Sequence, residues 1–395
     1  MICLLLTNEE KGMLSGKQGK AVQKSMEILT ALGEIFGADK FVPVNSVQIA
    51  GVSYHNLGDA GLEFLEDMAR NGKVRVKTML NPAGMDLENW KVLGIPEDFA
   101  DKQMKVINVF RKLGVNITCT CTPYLVGYNP KKGEHIAWSE SSAVCFSNSV
   151  LGARTNREGG PSALASAITG RTPFYGLHLD ANRAPKITVD VQAKVMGEDW
   201  FGALALAIGK QTKEKIPFIR GVRKASLEEL KSFSASFPTY SGAAMFHMEG
   251  ITPEKVSVPS EKVVVTRKDV EDAIRFLNDD CQVDFVSLGC PHCSLQEMER
   301  IASLLKGKKV QKETWITTSR EVKKLAVSKG LSKIIEASGA KIVADTCLAV
   351  APLKGRFKAI ATNSAKGCYY GRGSNGFKTR FMSLEECIKE AVRRC

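Results

Sequence analysis

Two observations predict an α/β protein with largely parallel sheets. Short apolar, β-branched runs alternate with amphipathic segments along much of the chain. At 395 residues, with 44% hydrophobic and 25% charged residues, the chain can also bury the cores of roughly two or three domain-sized units. The composition excludes collagen, wholesale disorder and a disulfide-stapled miniprotein. The longest apolar runs, Met1 to Leu6 and Phe201 to Gly209, fall far short of the roughly 20 residues that span a bilayer. No basic stretch precedes the N-terminal apolar residues, and Glu9 and Glu10 follow soon after, which argues against a secretory leader and for a soluble, cytoplasmic protein.

In chain order, Lys17 to Gly33 reads as an amphipathic helix ending at glycine. Ala60 to Arg70 reads as a second helix, followed by Asn71-Gly72 and a β-branched run at Val74 to Thr78. Val115 to Thr118 reads as a strand. Pro161 suits the first turn of a helix running to Thr169. From Lys262 the alternation is regular: strand Lys262 to Thr266, helix Lys268 to Asn278, strand Val283 to Leu288, helix Ser294 to Leu305. Strand Trp315 to Thr318, helices Arg320 to Gly330 and Leu331 to Ser338, and strand Lys341 to Ala344 complete it. Pro185 to Phe237 carries the weakest pattern, and a lobe boundary near it gives approximate lobes 1–200 and 201–390. The chain shows no repeat of fixed period.

Lys plus Arg total 55 against 42 Asp plus Glu, a formal net charge of +13, so the summed field favours anionic ligands. The basic residues stand beside acidic ones, as in Lys312-Glu313, Arg320-Glu321 and Lys389-Glu390. That pattern fits solvated helix faces and argues against nucleic acid as a partner. Eleven cysteines, an odd count, argue against a disulfide framework and for metal or catalytic use of some of them.

Ligands of open α/β sheets sit beyond the carboxyl ends of strands, and cysteines follow three predicted strands. Cys119 and Cys121 follow Val115 to Thr118, Cys290 and Cys293 follow Asp284 to Leu288, and Cys347 follows Lys341 to Ala344. Cys3, Cys145, Cys281, Cys387 and Cys395 read as small hydrophobes. Three uses compete for the loop thiols. Cys290-Pro291-His292-Cys293 has the form of a thioredoxin-like redox pair, whose first thiol a helix N-terminus would acidify, but that reading leaves Cys121 and Cys347 unexplained. A zinc site of Cys119, Cys121, Cys290 and Cys293 needs a separation unlike any compact zinc ribbon. An iron-sulfur cluster accepts widely spaced thiolates, and a 4Fe-4S cluster held by three of them keeps one iron open to a substrate oxygen.

Asn148 to Pro161 forms a second constellation. Gly159-Gly160 leaves backbone N–H groups open to an anion at a helix start, and Arg154 or Arg157 suits a carboxylate or phosphate. A polar loop with solvated arginines is the competing account. Thr362-Asn363-Ser364-Ala365-Lys366-Gly367, after apolar Ala359 to Ala361, offers donors to a pocket or forms a simple turn. His55, in a glycine-punctuated loop, is a better site candidate than His247, for which a half-buried structural role is the default. Asn81-Pro82-Ala83-Gly84-Met85-Asp86 adds a polar turn. Gly371-Arg372-Gly373-Ser374-Asn375-Gly376 matches G-x-G-x-x-G, but no βαβ unit surrounds it and a dinucleotide reading is rejected.

Together, Ser53 to Gly61, Asn81 to Asp86, Cys121-Thr122-Pro123-Tyr124, Asn148 to Pro161, Phe246 to Glu254, Gly289 to Ser294, Asp345-Thr346-Cys347 and Thr362 to Lys366 resemble aconitase X. They do so in order and over nearly the whole chain, and the likeness is to the catalytic large subunit of that divergent branch of the aconitase superfamily. The resemblance implies aconitase-like lobes around a central cleft. It implies an iron-sulfur cluster, 4Fe-4S with one open iron or 2Fe-2S, held by Cys121, Cys290 and Cys347, with Cys119 and Cys293 as neighbours. Within the same segments, His55, Asn81, Ser149, Arg154, Thr155, Asn156, Arg157, Glu158, Asn363, Ser364 and Lys366 are the candidate substrate contacts.

Aconitase X members dehydrate hydroxylated acids, so the resemblance implies a hydro-lyase. Its substrate would be (R)-5-phosphomevalonate, giving trans-anhydromevalonate 5-phosphate in an archaeal-type mevalonate (isoprenoid) route, or cis-3-hydroxy-L-proline. The family's small swivelling domain is not found after Lys366 and is expected on a separate chain, which would carry the catalytic base; no base is assigned here. The two-chain form and the +13 charge favour the phosphorylated substrate. A metal-stabilised binding scaffold is the alternative of another class.

Overall fold

Three wholly parallel sheets, of three, four and five strands, succeed one another along residues 4–393, which this computed structural model describes; a short antiparallel pair accompanies them. This is the expected α/β architecture. Cys3 and Cys395 lie outside the described residues. Among the described residues no helix is long and apolar enough to cross a membrane.

The first unit contains α1 (Asn8–Leu14), α2 (Lys20–Ile35), β1 (Phe41–Pro43), β2 (Ser46–Ile49), α3 (Tyr54–Asn71), β3 (Lys77–Leu80), α4 (Glu97–Leu113), β4 (Ala137–Trp138), α5 (Ser141–Phe146), α6 (Gly160–Thr169) and β5 (Arg171–Pro173). Every residue of the central strand β2 is buried, as in a parallel sheet covered on both faces. Met26 and Leu29 of α2, Leu65 of α3, Phe110 of α4 and Ile168 of α6 build the core around it. The helix expected to end at Gly33 continues to Ile35, and the second begins earlier, at Tyr54. The strand expected from Val74 is displaced to β3. No strand forms at Val115 to Thr118. Only Asn116 bridges Met79. Beyond it, Thr118 Oγ1 donates to the Leu80 carbonyl (3.1 Å) and the Thr120 amide does the same (3.0 Å). Cys119, between them at φ 41°, breaks the extended path.

The second unit contains β6 (Ile187–Val191), α7 (Glu198–Thr212), β7 (Pro217–Arg220), α8 (Leu227–Ser241), β8 (His247–Met248), β9 (Lys262–Val265) and α9 (Arg267–Phe276), with strand order β8-β7-β6-β9. The apolar run from Phe201 to Gly209 is α7, buried along that whole run. The expected lobe boundary near residue 200 needs correction. It cuts α7, and β6 before it shares a sheet with β7 and β9 after it; the units divide between β5 and β6.

The third unit contains β10 (Phe285–Cys293), α10 (Leu295–Leu305), β11 (Glu313–Thr318), α11 (Arg320–Ser328), α12 (Leu331–Ala337), β12 (Lys341–Ala344), β13 (Ala359–Thr362), α13 (Ala365–Asn375), β14 (Lys378–Phe381) and α14 (Leu384–Val392), with strand order β12-β11-β10-β13-β14. Ser294, Ser319, Ser364 and Ser383 cap its helices by accepting first-turn N–H groups. β10 extends beyond the expected Leu288 to Cys293 through a register shift against β11. At the shift, Gly289 adopts φ 93°, and a Cβ there would lie 2.1 Å from the Thr317 carbonyl oxygen, so only glycine permits the bend. The G-x-G-x-x-G string is the last turns of α13, closed by Gly376, in keeping with its rejection as a dinucleotide loop.

The first and third units are docked at one corner. Arg320 pairs with both Asp345 and Asp86. Asp86 Oδ2 accepts the Ala344 amide (2.9 Å), and the Ala83 amide donates to the Asp345 carbonyl (2.7 Å). These bonds set the carboxyl edge of the first sheet against that of the third.

Candidate active site between the first and third sheets

A cavity of about 280 Å³ lies where those two edges meet. Ala50 and Gly51 enter it after β2, Asn81 and Pro82 after β3, and Ser139 to Ser142 after β4. Cys290 of β10, Cys347 beyond β12, and Lys366, Tyr370 and Ser374 of α13 come from the third unit, and Asn56, Cys121 and Arg157 also line the wall. The placement follows the rule for parallel sheets.

Cys121, Cys290 and Cys347 thus line one cavity, whereas Cys119 and Cys293 are buried behind it. The expectation that each thiol follows a strand end needs correction. Cys121 rides on the clipped loop, Cys290 sits inside the bent end of β10, and only Cys347 lies just past a strand, β12. Burial pushes all three thiols up in pKa, Cys347 to about 12, and each of Cys121 and Cys347 also feels Cys290. The Lys366 ammonium counters part of this at Cys290. The thioredoxin-like reading does not fit this arrangement, because Cys290 lines the cavity together with Cys121 and Cys347 whereas Cys293 is buried and does not line it. Among the described residues no three His, Cys, Asp or Glu side chains converge for a single metal ion. Three thiols spread around one wall suit a polynuclear iron-sulfur cluster, and the His292 amide donating to Cys121 Sγ at 3.2 Å supplies the kind of N–H···S bond such thiolates accept.

Two cations face the same space. Arg157 is exposed and makes no ion pair among the described residues; Lys366 is buried and pairs with Glu140. Burial alone would raise the Glu140 carboxyl, but Lys366, the Ser142 hydroxyl and the Ala143 amide (2.8 Å) together hold it below its ordinary value. Glu140 escaped the sequence reading because β4, which delivers it, is only two residues long. Asn56, Ser141 and Tyr370 were likewise missed, although Asn56 adjoins the His55 that was chosen.

The other expected substrate contacts are not brought to this cavity. His55 is exposed outside it. Ser149 Oγ accepts the Phe246 amide (2.9 Å), Thr155 Oγ1 accepts the Trp138 amide (3.1 Å), and Asn156 bonds the Leu177 amide and the Tyr175 carbonyl (2.8 and 3.0 Å). Arg154 pairs with Asp180. Glu158 is buried under Ser162 and Thr172, its carboxyl raised by desolvation. Their polar atoms shape the loop that carries Arg157. Ser364 caps α13, its Oγ 2.9 Å from the Gly367 amide, and Asn363 Nδ2 donates to Glu198 (3.0 Å) in a small adjoining cavity behind Cys290. His247 is fully buried against the Arg183 carbonyl (2.8 Å), a structural role.

Parallel α/β units closing on a cleft lined by three thiols define an aconitase-type architecture. The chain belongs to the aconitase X family: the aconitase X first domain matches residues 3–181, the second 185–275 and the third 283–393. It is 47% identical over 395 residues to the phosphomevalonate dehydratase large subunit of Thermococcus kodakarensis, covering 98% of this chain and 100% of that one. The crystal structure of Thermococcus kodakaraensis aconitase X in its holo-form superposes with a TM-score of 0.92 at 45% identity, covering 98% of this chain and 100% of that one. Cis-3-hydroxy-L-proline dehydratase from Hypocrea jecorina is 35% identical over 410 residues, covering 98% of this chain and 68% of that protein.

Proposed function

We propose that this chain is the large subunit of a cytoplasmic phosphomevalonate dehydratase, a hydro-lyase that converts (R)-5-phosphomevalonate to trans-anhydromevalonate 5-phosphate. In this reading Cys121, Cys290 and Cys347 hold a 4Fe-4S cluster, and a separate small subunit closes the cavity. The observation that carries it is the meeting of three thiols and two cations, Arg157 and Lys366, in one cavity. End-to-end similarity to a relative named as a large subunit supports the two-chain form, whereas the chain spans only 68% of the hydroxyproline-specific relative.

Dehydration asks the site to stabilise charge on a carboxylate and on a departing hydroxide. When bound, the cluster supplies Lewis acidity at those oxygens. Arg157, at the exposed side of the cavity, binds the dianionic phosphate. Lys366 is held charged by Glu140 and presents a fixed ammonium to a substrate oxygen. Glu140, committed to Lys366, Ser142 and Ala143, is not free to take the substrate proton, which leaves the base to the partner chain. Asn81, Ser139 and Ser141 add neutral donors around the bound acid.

Anaerobic co-expression with the small partner tests the proposal. The complex should contain iron and turn over phosphomevalonate, and the large chain alone should not. Turnover of cis-3-hydroxy-L-proline with phosphomevalonate ignored would overturn the substrate assignment. Iron without turnover of either would favour the scaffold.

A further inference from the structure

His292 lies between two of the thiol positions in sequence and is completely buried, yet it does not line the cavity. All four of its polar groups are engaged, by three different segments. Its amide donates to Cys121 Sγ at 3.2 Å. Its Nδ1 lies 3.0 Å from Thr120 Oγ1, next to Cys121 in sequence. Its Nε2 lies 3.0 Å from the Thr346 carbonyl, next to Cys347. Its own carbonyl accepts from Lys231 Nζ of α8 at 3.0 Å, and Lys231 pairs with Glu297 of α10. A carbonyl can only accept, so Nε2 carries the imidazole proton and Nδ1 accepts the Thr120 hydroxyl. Thr120 is then aligned by the Thr122 amide, which donates to its Oγ1 at 3.2 Å.

We propose that His292 is a positioning residue that ties the three thiol-bearing segments, and through Lys231 the second unit, into one register, so that Cys121, Cys290 and Cys347 present their sulfurs together. The inference rests on the reading of those three cysteines as cluster ligands. Cys121 sits on a loop without a ladder, and among the described residues no other side chain of the third unit hydrogen-bonds that loop. The imidazole supplies a rigid spacer with a bond at each end. Its directionality explains why a buried polar ring occupies a place that an apolar side chain would fill at lower desolvation cost.

The test uses the full chain with His292→Leu, which keeps the volume and removes both ring bonds, and Thr120→Val, which removes one. In anaerobic competition against a chelator, His292→Leu should lose iron affinity by about 10- to 100-fold, as outer-shell partners of metal ligands do, with Thr120→Val intermediate. A second readout needs no metal. In the metal-free chain, iodoacetamide labelling followed by mass spectrometry should show Cys121 and Cys347 reacting about tenfold faster in His292→Leu, because local opening is easier by one or two hydrogen bonds. Cys387, on the buried face of α14, should keep its rate. Unchanged iron affinity and labelling would overturn the proposal, and so would an equal rise at Cys387, which marks general loosening. A wild-type chain that binds no iron would refute the ligand reading instead, leaving the labelling to decide on His292. If His292→Leu does not fold, Thr120→Val decides: wild-type labelling at Cys121 and Cys347 in that variant overturns the proposal.

Discussion

Lys366 and Glu140, 226 residues apart in sequence, form a buried ion pair in the wall of the cavity. Desolvation opposes charge on each, yet the pairing raises the Lys366 ammonium and lowers the Glu140 carboxyl. Both stay ionised, so the substrate meets a cation already oriented and dry. The pair also joins α5 of the first unit to α13 of the third.

Removing one partner should expose that dependence. Lys366→Met leaves Glu140 buried and uncompensated, and should destabilise the chain by about 3–5 kcal/mol in urea denaturation, the usual result of breaking a buried pair. Lys366→Met with Glu140→Gln should recover much of the loss while remaining inactive. A double variant no more stable than Lys366→Met would show that the pair contributes through something other than charge.

The two arginines of the Asn148 to Pro161 loop should separate cleanly. Arg157→Ala should lower kcat/KM toward phosphomevalonate by about 10- to 100-fold, matching loss of a charge-assisted hydrogen bond of about 1.5–3 kcal/mol, with iron retained. Arg154, outside the cavity and paired with exposed Asp180, should leave KM unchanged when replaced by alanine and cost little stability. Steady-state kinetics on the reconstituted complex reads both.

Serine substitution of the cysteines should divide them by position. Cys121→Ser, Cys290→Ser and Cys347→Ser should each lose iron and activity. Cys119→Ser and Cys293→Ser, whose side chains lie behind the cavity, should keep the metal. Retention by Cys347→Ser together with loss from Cys293→Ser, read by metal analysis, would reverse the assignment.

Acid should weaken the first unit through His178. Burial first, and then the neighbouring His135, Arg183 and Arg154, pull His178 from 6.5 down to about 3. His135 Nδ1 meets its Nδ1 at 2.9 Å. The unfolded chain therefore takes up a proton that the folded chain refuses between those two values. Stability is unaffected by this group above pH 6.5 and falls as pH drops below it, with a slope approaching about 1.4 kcal/mol per pH unit. Denaturation at pH 7, 6 and 5 should show a flatter decline for His178→Gln than for the unaltered chain.

The sequence by itself determined the α/β class, the helices and strands from Lys262 to Ala344 and, through its resemblance to aconitase X, the three cysteines that share a cavity. Periodicity, caps such as Ser294 and glycines such as Gly376 are local signals, and they act within a few residues. Tertiary structure decided the rest. Val115 to Thr118 has strand composition, but Cys119 and the Thr118 and Thr120 bonds to Leu80 turn it into a clipped loop. Arg154 and Arg157 are indistinguishable in sequence; only Asp180, brought beside Arg154 by the fold, removes one from the cavity. Glu140 carried no motif, and its meaning comes from Lys366, more than half the chain away. Side chains that look alike along the chain differ once folding assigns each a neighbour, because partnering and desolvation depend on distances that sequence spacing does not set.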